Sequence, residues 1–394
     1  MSEQQQHLRL RAVDSWFFRG ARPMFLGEGG QSDIQAMFPP SPDTVVGAMR
    51  AAWAREMGWP GGRVRWSDDV MKHLGDGFKD DAFKEQALRF DGPHLITWAS
   101  DAEPGGDVRL WYPMPLHLLG VGGTNEANEP TWTPTARLAP GEDVICDLGE
   151  VRLPEVIGGT DAAGRKPGSD FWVNDLGMRR ILAGGLPRAE EIRHEGALWR
   201  SEHRVGLARD NTTRSAVSGM LYSTRHIRPH RCVGLGLTVH RAPKAPPRVL
   251  TLGGEGRLAE CDVLGSPLRH PTLSAEALAR AETLAVVLLT PARLPRLELD
   301  NEVPGLEGFT LVSGCVGKAQ RVGGWSSVGG HSRDVEGLLP AGSVLFVECD
   351  DVTRRLDALE SWHLGGRTLW GYGRFLLGVA RPPKDNNDVE EETR

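Results

Sequence analysis

Cysteine is scarce, and no apolar run approaches the length of a membrane span. The five cysteines (Cys146, Cys232, Cys261, Cys315 and Cys349) are odd in number and widely spaced. No C-x-x-C pair occurs, which argues against a disulfide framework and a zinc site and leaves reduced core residues. The longest apolar stretch, Leu284 to Leu289, reads as a buried strand. Met1 to Gln6 is polar and lacks the apolar centre of a signal peptide, so a cytoplasmic chain with no membrane partner is expected. The P-loop, H-E-x-x-H and G-x-S-x-G are also missing, and Gly234-Leu235-Gly236 lacks the rest of a dinucleotide fingerprint. Neither cofactor nor metal is expected. A formal charge of -6 excludes a uniformly basic nucleic-acid coat, though not a local patch.

What is present is ordinary globular material: 394 residues, 40% hydrophobic and 25% charged, enough for two or more cores. The chain is organised around its opening. Leu8, Leu10 and Ala12 alternate with Arg9 and Arg11, which predicts a strand with one apolar face and one wet, basic face. Trp16-Phe17-Phe18 follows, and Arg19-Gly20-Ala21-Arg22-Pro23 ends the strand. Ser41, Pro42 and Asp43 form a helix start, with Ser41 as cap. Val46, Met49, Trp53 and Met57 continue at helical spacing until Gly58 and Pro60.

Further on, the charges of Trp66 to Lys84 predict a surface excursion with a short helix near Asp81 to Arg89. His94 to Trp98 and Val108 to Tyr112 read as a hairpin. Pro113 to Pro167, rich in glycine, proline and threonine, reads as an extended loop region. Ser169 to Leu182 resumes helical spacing, and strands are expected at Gly219 to Ile227 and Cys232 to His240. That order is βαββαβ, the ferredoxin-like arrangement, with insertions. A second such unit is read from a strand pair in Val249 to Leu264, a helix capped by Ser274, and strands at Thr283 to Leu289, Phe309 to Val316, Ser343 to Cys349 and Leu369 to Val379. The fold class is therefore α+β, with two tandem ferredoxin-like domains at 1-230 and 231-380. Residues 381-394 read as a disordered polar tail.

Charge is segregated. From Arg193 to Arg257 there are eleven arginines and Lys244 against Glu195, Glu202, Asp210 and Glu255, a local +8 in a chain of net -6. That is the footprint of a polyanion site, or else a solvated face whose arginines pair with surface acids. Arg225, Arg228 and Arg231 are spaced for successive phosphates, and Arg19 and Arg22 can share their groove. Gly253-Gly254-Glu255-Gly256-Arg257 and Gly323-Gly324-Trp325 permit close backbone approach and, at Trp325, base stacking; the alternative is sharp turns and a core tryptophan. Arg50 either snorkels or reaches the groove beside Arg19. Arg214, His226, Lys318 and Arg321 complete the candidate RNA-binding set. An enzymatic reading would use His226, His230 or Tyr222 as acid-base groups of a metal-independent ribonuclease.

Several segments in order carry a resemblance: Leu8 to Arg19, Arg22-Pro23, and Phe38-Pro39-Pro40-Ser41-Pro42 to Arg50. They are followed by Val205-Gly206-Leu207, Gly219-Met220-Leu221-Tyr222, Leu252 to Arg257, Gly323-Gly324-Trp325, and Pro340 to Val344. The chain resembles a RAMP-superfamily subunit of type III-B (Cmr-type) CRISPR effector complexes, the subunit that binds the 5′ handle of the guide RNA. The resemblance implies two ferredoxin-like domains and a crRNA 5′ handle as ligand. It also implies the large polymerase-like subunit and backbone RAMP subunits as partners, and no catalysis by this chain. The guide-processing endoribonucleases of the same superfamily are the alternative it leaves open.

Overall fold

A computed structural model describes residues 5–20, 36–75, 88–100, 107–147, 149–157, 164–326, 330–359 and 361–382. Arg22, the helix expected near Asp81, the 101–106 loop and the tail beyond Pro382 lie outside the described residues. The chain begins with β1 (Gln5–Ala12), α1 (Pro42–Glu56), α2 (Asp68–Leu74) and β2 (Arg89–Trp98). Next come β3 (Val108–Pro113), β4 (Leu118–Thr124), β5 (Pro130–Cys146), β6 (Gly149–Ile157), β7 (Phe171–Asn174), α3 (Asp175–Leu182) and β8 (Ile192–His194). A long ribbon of β9 (Trp199–Arg209) and β10 (Ala216–Pro229) precedes β11 (Val233–His240), β12 (Val249–Thr251) and β13 (Leu258–Val263). The last third holds α4 (Ala275–Ala279), β14 (Leu284–Leu288), β15 (Glu302–Val303), β16 (Leu306–Cys315), β17 (Gln320–Ser326) and β18 (His331–Leu338). It closes with β19 (Val344–Glu348), α5 (Val352–Asp357) and β20 (Phe375–Val379). The fold is mixed and strand-rich with few helices.

Two compact units are each assembled from separated stretches of chain. The first comprises Met1–Val108, Gly196–Leu268 and Arg321–Gly337; the second comprises Arg109–Glu195, Arg269–Gln320 and Leu338–Arg394. In the first, strands run β12-β13-β1-β11-β2, every pair antiparallel. Leu8 and Leu10 of β1 face Leu237 and Leu235 of β11, forming the sheet side of the core. Val46, Met49 and Trp53 of α1 complete it, as their helical spacing predicts. Ser41 occupies the N-cap position but makes no side-chain cap bond; its hydroxyl lies 3.1 Å from that of Thr44. The other face of β1 is only partly wet, and both of its arginines are paired. Arg9 is 3% exposed, 4.6 Å from the centre of the Trp98 ring, and bonded to Asp262; Arg11 pairs with Glu260. The register explains this, because β13 sets Asp262 opposite Arg9 and Glu260 opposite Arg11.

In the second unit the main sheet runs β15-β16-β19-β14-β20, again antiparallel, over a core that includes Val286, Leu288, Phe309, Val347 and Phe375. The stretch expected to be an extended loop, Pro113 to Pro167, instead holds a three-stranded sheet, β4-β5-β6. Prolines concealed it, since Pro134 and Pro140 lie inside its central strand, where proline is normally excluded. Register shifts beside Leu119 and Pro140 absorb the irregularity. The helix expected from Ser169 begins later. Phe171 and Trp172 lie in β7, and Asn174 caps α3 by accepting from the Gly177 N–H at 3.0 Å.

A buried Arg137 on β5 has carbonyls rather than a carboxylate around it. It donates to the carbonyls of Ile181 and Val379, and its Nη2 lies 3.2 Å from His117 Nε2. Burial pushes Arg137 down to about 10. Burial first, and then the Arg137 charge, holds His117 well below the ordinary histidine value of 6.5, so its Nε2 accepts as a neutral imidazole. The sign follows. Below pH 6.5 the unfolded chain takes up a proton that the folded chain refuses, so stability held above that pH is lost on acidification, at up to about 1.4 kcal/mol per pH unit. Replacing His117 by Gln, which can still accept but does not titrate, is expected to flatten the denaturant-measured decline between pH 6.5 and 5. An unchanged slope would refute the assignment.

Candidate nucleic-acid interface

The β9–β10 ribbon belongs to the first unit and joins it through the aromatic run after β1. Trp16 and Ile227 exchange backbone hydrogen bonds at 2.8 and 2.7 Å, and the Gly254 N–H donates to the Phe17 carbonyl at 2.8 Å. This joins the opening stretch, the ribbon and the 253–257 turn. At the junction Asp14 receives three arginines: Arg204 at 2.9 Å, Arg228 at 2.8 Å and Arg257 at 3.4 Å. Glu202 holds Arg204 and Arg228 as well. Hydrogen bonding, from Arg204 to Asp14 and from Arg228 to Glu202, keeps both carboxyls below their usual range. Glu255 adds to the cluster 3.8 Å from Arg257, so three guanidiniums meet three carboxylates. Surface pairing is therefore realised at Arg228 and Arg257, and these two are braces of the ribbon.

His226 is buried inside the same cluster. Its ring stacks on Phe17 at 5.1 Å, with Nδ1 3.3 Å from the Ser15 hydroxyl and Nε2 3.1 Å from Glu255. Burial, then the Arg257 charge, lowers its pKa, with Glu255 opposing. His230 Nε2 is 3.0 Å from the Gly196 carbonyl. The His226 imidazole is buried, the half-exposed His230 gives its Nε2 to a carbonyl, and the Tyr222 side chain lies outside the described residues, so the ribonuclease constellation gains no geometric support.

Strand alternation divides the ribbon into two faces. Glu202, Arg204, His226 and Arg228 share the braced face. On the other face His203, Val205, Leu207 and Arg209 follow one another in the open, with Arg225 directly opposite His203. Val205 is 71% exposed. Between Ser201 and Arg209 that face carries no carboxylate, and Asp210, at the turn, is occupied by the amides of Thr212 and Thr213.

A family model described as CRISPR-associated protein (Cas_Cmr3) matches residues 8–380. The chain belongs to that family. Among solved structures it is similar to a chain of the Type III-B Cmr-beta bound to cognate target RNA, at 13% identity, with 86% of each chain covered and a TM-score of 0.45. It is also similar to a chain of that assembly bound to cognate target RNA and AMPPnP, state 1, at 12% identity, 86% coverage of each and a TM-score of 0.46. No curated protein matches.

The remaining candidates of this Cas_Cmr3-family chain separate cleanly. Arg19 is exposed three residues beyond Trp16, Arg231 is exposed in the turn before β11, and Arg214 is exposed between β9 and β10. Arg321 and Trp325 lie exposed on β17, Trp325 at 61%. Lys318 is exposed in the second unit. Arg50 is 2% exposed and bonds the carbonyls of Leu74 and Gly75 at 2.8 and 2.7 Å, closing the end of α2; it does not reach the groove. Gly324 leaves room for the Arg333 side chain, which runs on to Asp43 at the start of α1. Gly253, at φ +86°, would place a Cβ 2.5 Å from the Phe17 carbonyl oxygen. Gly253→Ala is therefore expected to destabilise by about 1–3 kcal/mol. A stable variant that loses RNA affinity would instead put this glycine in contact with the ligand.

The sequence reading missed Asp14, Glu202 and Arg204, the braces that orient the ribbon, because β9 as a whole was not recognised. Its signal was present: Glu202 and Arg204 are two apart, with charged or small residues on one parity and His203, Val205 and Leu207 on the other.

Proposed function

We propose that this chain is a non-catalytic subunit of a type III-B RNA-guided interference complex. In this reading it binds the 5′ handle of the crRNA and docks the large polymerase-like subunit to the backbone RAMP subunits in the cytoplasm. The observation that carries the RNA part is the acid-free open face of β9, where exposed Arg209 follows exposed Val205 and Leu207, with half-exposed Arg225 across from His203. Guanidiniums there meet phosphates while the apolar side chains meet ribose and base, and affinity without base-edge contacts is salt-sensitive. Arg19, Arg214, Arg231, Arg321 and Trp325 extend the surface, with Arg228, His226 and Arg257 bracing it.

A tandem ferredoxin-like fold accompanies this reading. Counted along the chain, β1, β2, β11 and β13 lie in the order fourth, first, third, second, and β14, β16, β19 and β20 repeat it. α1 fills the first crossover of one set and α5 the second crossover of the other. Both orders support βαββαβ units that have each kept one helix. In this reading the first set takes in β11 and β13, so its domain would extend through residue 263.

Incubating the purified chain with guide RNA, with and without its 5′ handle, tests the function. Expected is retention of intact RNA that weakens when the handle is removed. Cleavage would favour the processing endoribonuclease, and no retention would leave a purely scaffolding chain.

A further inference from the structure

The second unit carries a hairpin of opposite character. At the end of β5–β6, Ile145 is 88% exposed, with Val144 and Leu153 also largely open. Strand alternation sets Ile145 on one face with Glu150, and Val144 and Leu153 on the other beside buried Val151, so both faces near this end carry exposed apolar surface that is costly to leave in water. Ile145 lies directly opposite Glu150, and the turn closes through Gly149 at φ +96°. Five acids, Glu142, Asp143, Asp147, Glu150 and Glu155, stand here against Arg152. Arg152 is committed to Glu348 at 2.7 Å, and Glu155 receives Arg381 at 3.3 Å. Glu142, Asp147 and Glu150 have no ion-pair partner among the described residues.

The base of the hairpin is held rigidly. Arg152 grips both Glu348 oxygens, and the Ser313 hydroxyl donates to the Arg152 carbonyl at 2.6 Å, fixing β6 to β16 and β19. A rigid, apolar end presented in advance loses little entropy on docking. Its acidic rim repels a phosphate backbone and selects a positive surface.

We propose that the end of the β5–β6 hairpin docks into a basic, apolar-floored surface on a neighbouring protein subunit, and that neither RNA nor a second copy of this chain occupies it. The inference rests on the reading of this chain as one subunit of a larger effector, and it is independent of where the chain holds RNA.

The test adds purified wild-type chain, Ile145→Asp, or Glu142→Lys/Glu150→Lys to a guide-loaded assembly of the other subunits that lacks this chain. Because these side chains are exposed, both variants should unfold at the wild-type temperature and bind isolated guide RNA as wild type does. Each should join the assembly roughly ten- to a hundredfold more weakly, Ile145→Asp through lost burial and the reversal through charge. Replacing Ile145 by a photo-crosslinking phenylalanine should link it to a lysine- or arginine-rich peptide of another subunit. Wild-type joining by both variants overturns the proposal. So do crosslinks to RNA, or a loss of self-association with joining intact. If the wild-type chain itself fails to join, the subunit reading is what fails, and this inference falls with it.

Discussion

Trp53→Ala is expected to destabilise the protein by about 3–5 kcal/mol, the range for removing a large aromatic from a packed core. The indole is fully buried on α1, 6.4 Å from the Phe90 ring of β2, and its N–H donates to the Ala245 carbonyl at 3.1 Å. Truncation opens a cavity and leaves that carbonyl without its donor. Trp53→Phe keeps most of the volume and should cost clearly less. Chemical denaturation reads both, and a loss below about 1 kcal/mol for Trp53→Ala would mean that α1 is not anchored through this side chain.

The second large effect concerns RNA. Arg209→Ala/Arg225→Ala removes two cations from the open face of the ribbon and leaves the Asp14 cluster untouched. If each guanidinium holds one phosphate, affinity should fall roughly a hundredfold or more, because a hydrogen bond to a charged group contributes about 1.5–3 kcal/mol. The plot of log affinity against log salt should also flatten by about 1.4, since each single-strand phosphate contact contributes about 0.7. Arg228→Ala is the contrasting variant. It breaks the pairs with Asp14 and Glu202, so its RNA defect should come with an earlier thermal transition. A folded Arg209→Ala/Arg225→Ala variant with wild-type affinity and slope would remove the RNA from this face.

The contrast between these arginines marks where sequence reasoning worked. Periodicity is strong in β1, α1, β11 and β14 because each buries one continuous face or both, so Leu8, Val46, Leu235 and Val286 announced themselves. It failed in β5, whose prolines mimic a loop, and in β9, whose exposed Val205 and Leu207 have no core to face. The +8 segment was legible as a charge count, yet a count cannot assign partners. Arg9 was expected on a wet face and proved buried, because the acids that neutralise it, Asp262 and Glu260 for its neighbour, arrive from a strand some 250 residues away. Arg50 was ambiguous for the same reason, since the carbonyls that hold it belong to α2 and its terminus. Long-range pairing decides which arginines remain available, and a sequence read locally does not contain it.

The placement of β1 also bears on how the protein is made. This strand leaves the ribosome long before either of its hydrogen-bonding neighbours, β11 and β13, which are encoded beyond residue 232. At typical synthesis speeds the intervening roughly 220 residues take about ten to forty-five seconds to emerge. Throughout that time Leu8 and Leu10 have no sheet to enter, and both edges of the strand are open to pairing with other nascent chains. Slowing translation should therefore raise aggregation of this protein, and occupation of the segment by a holdase chaperone should lower it.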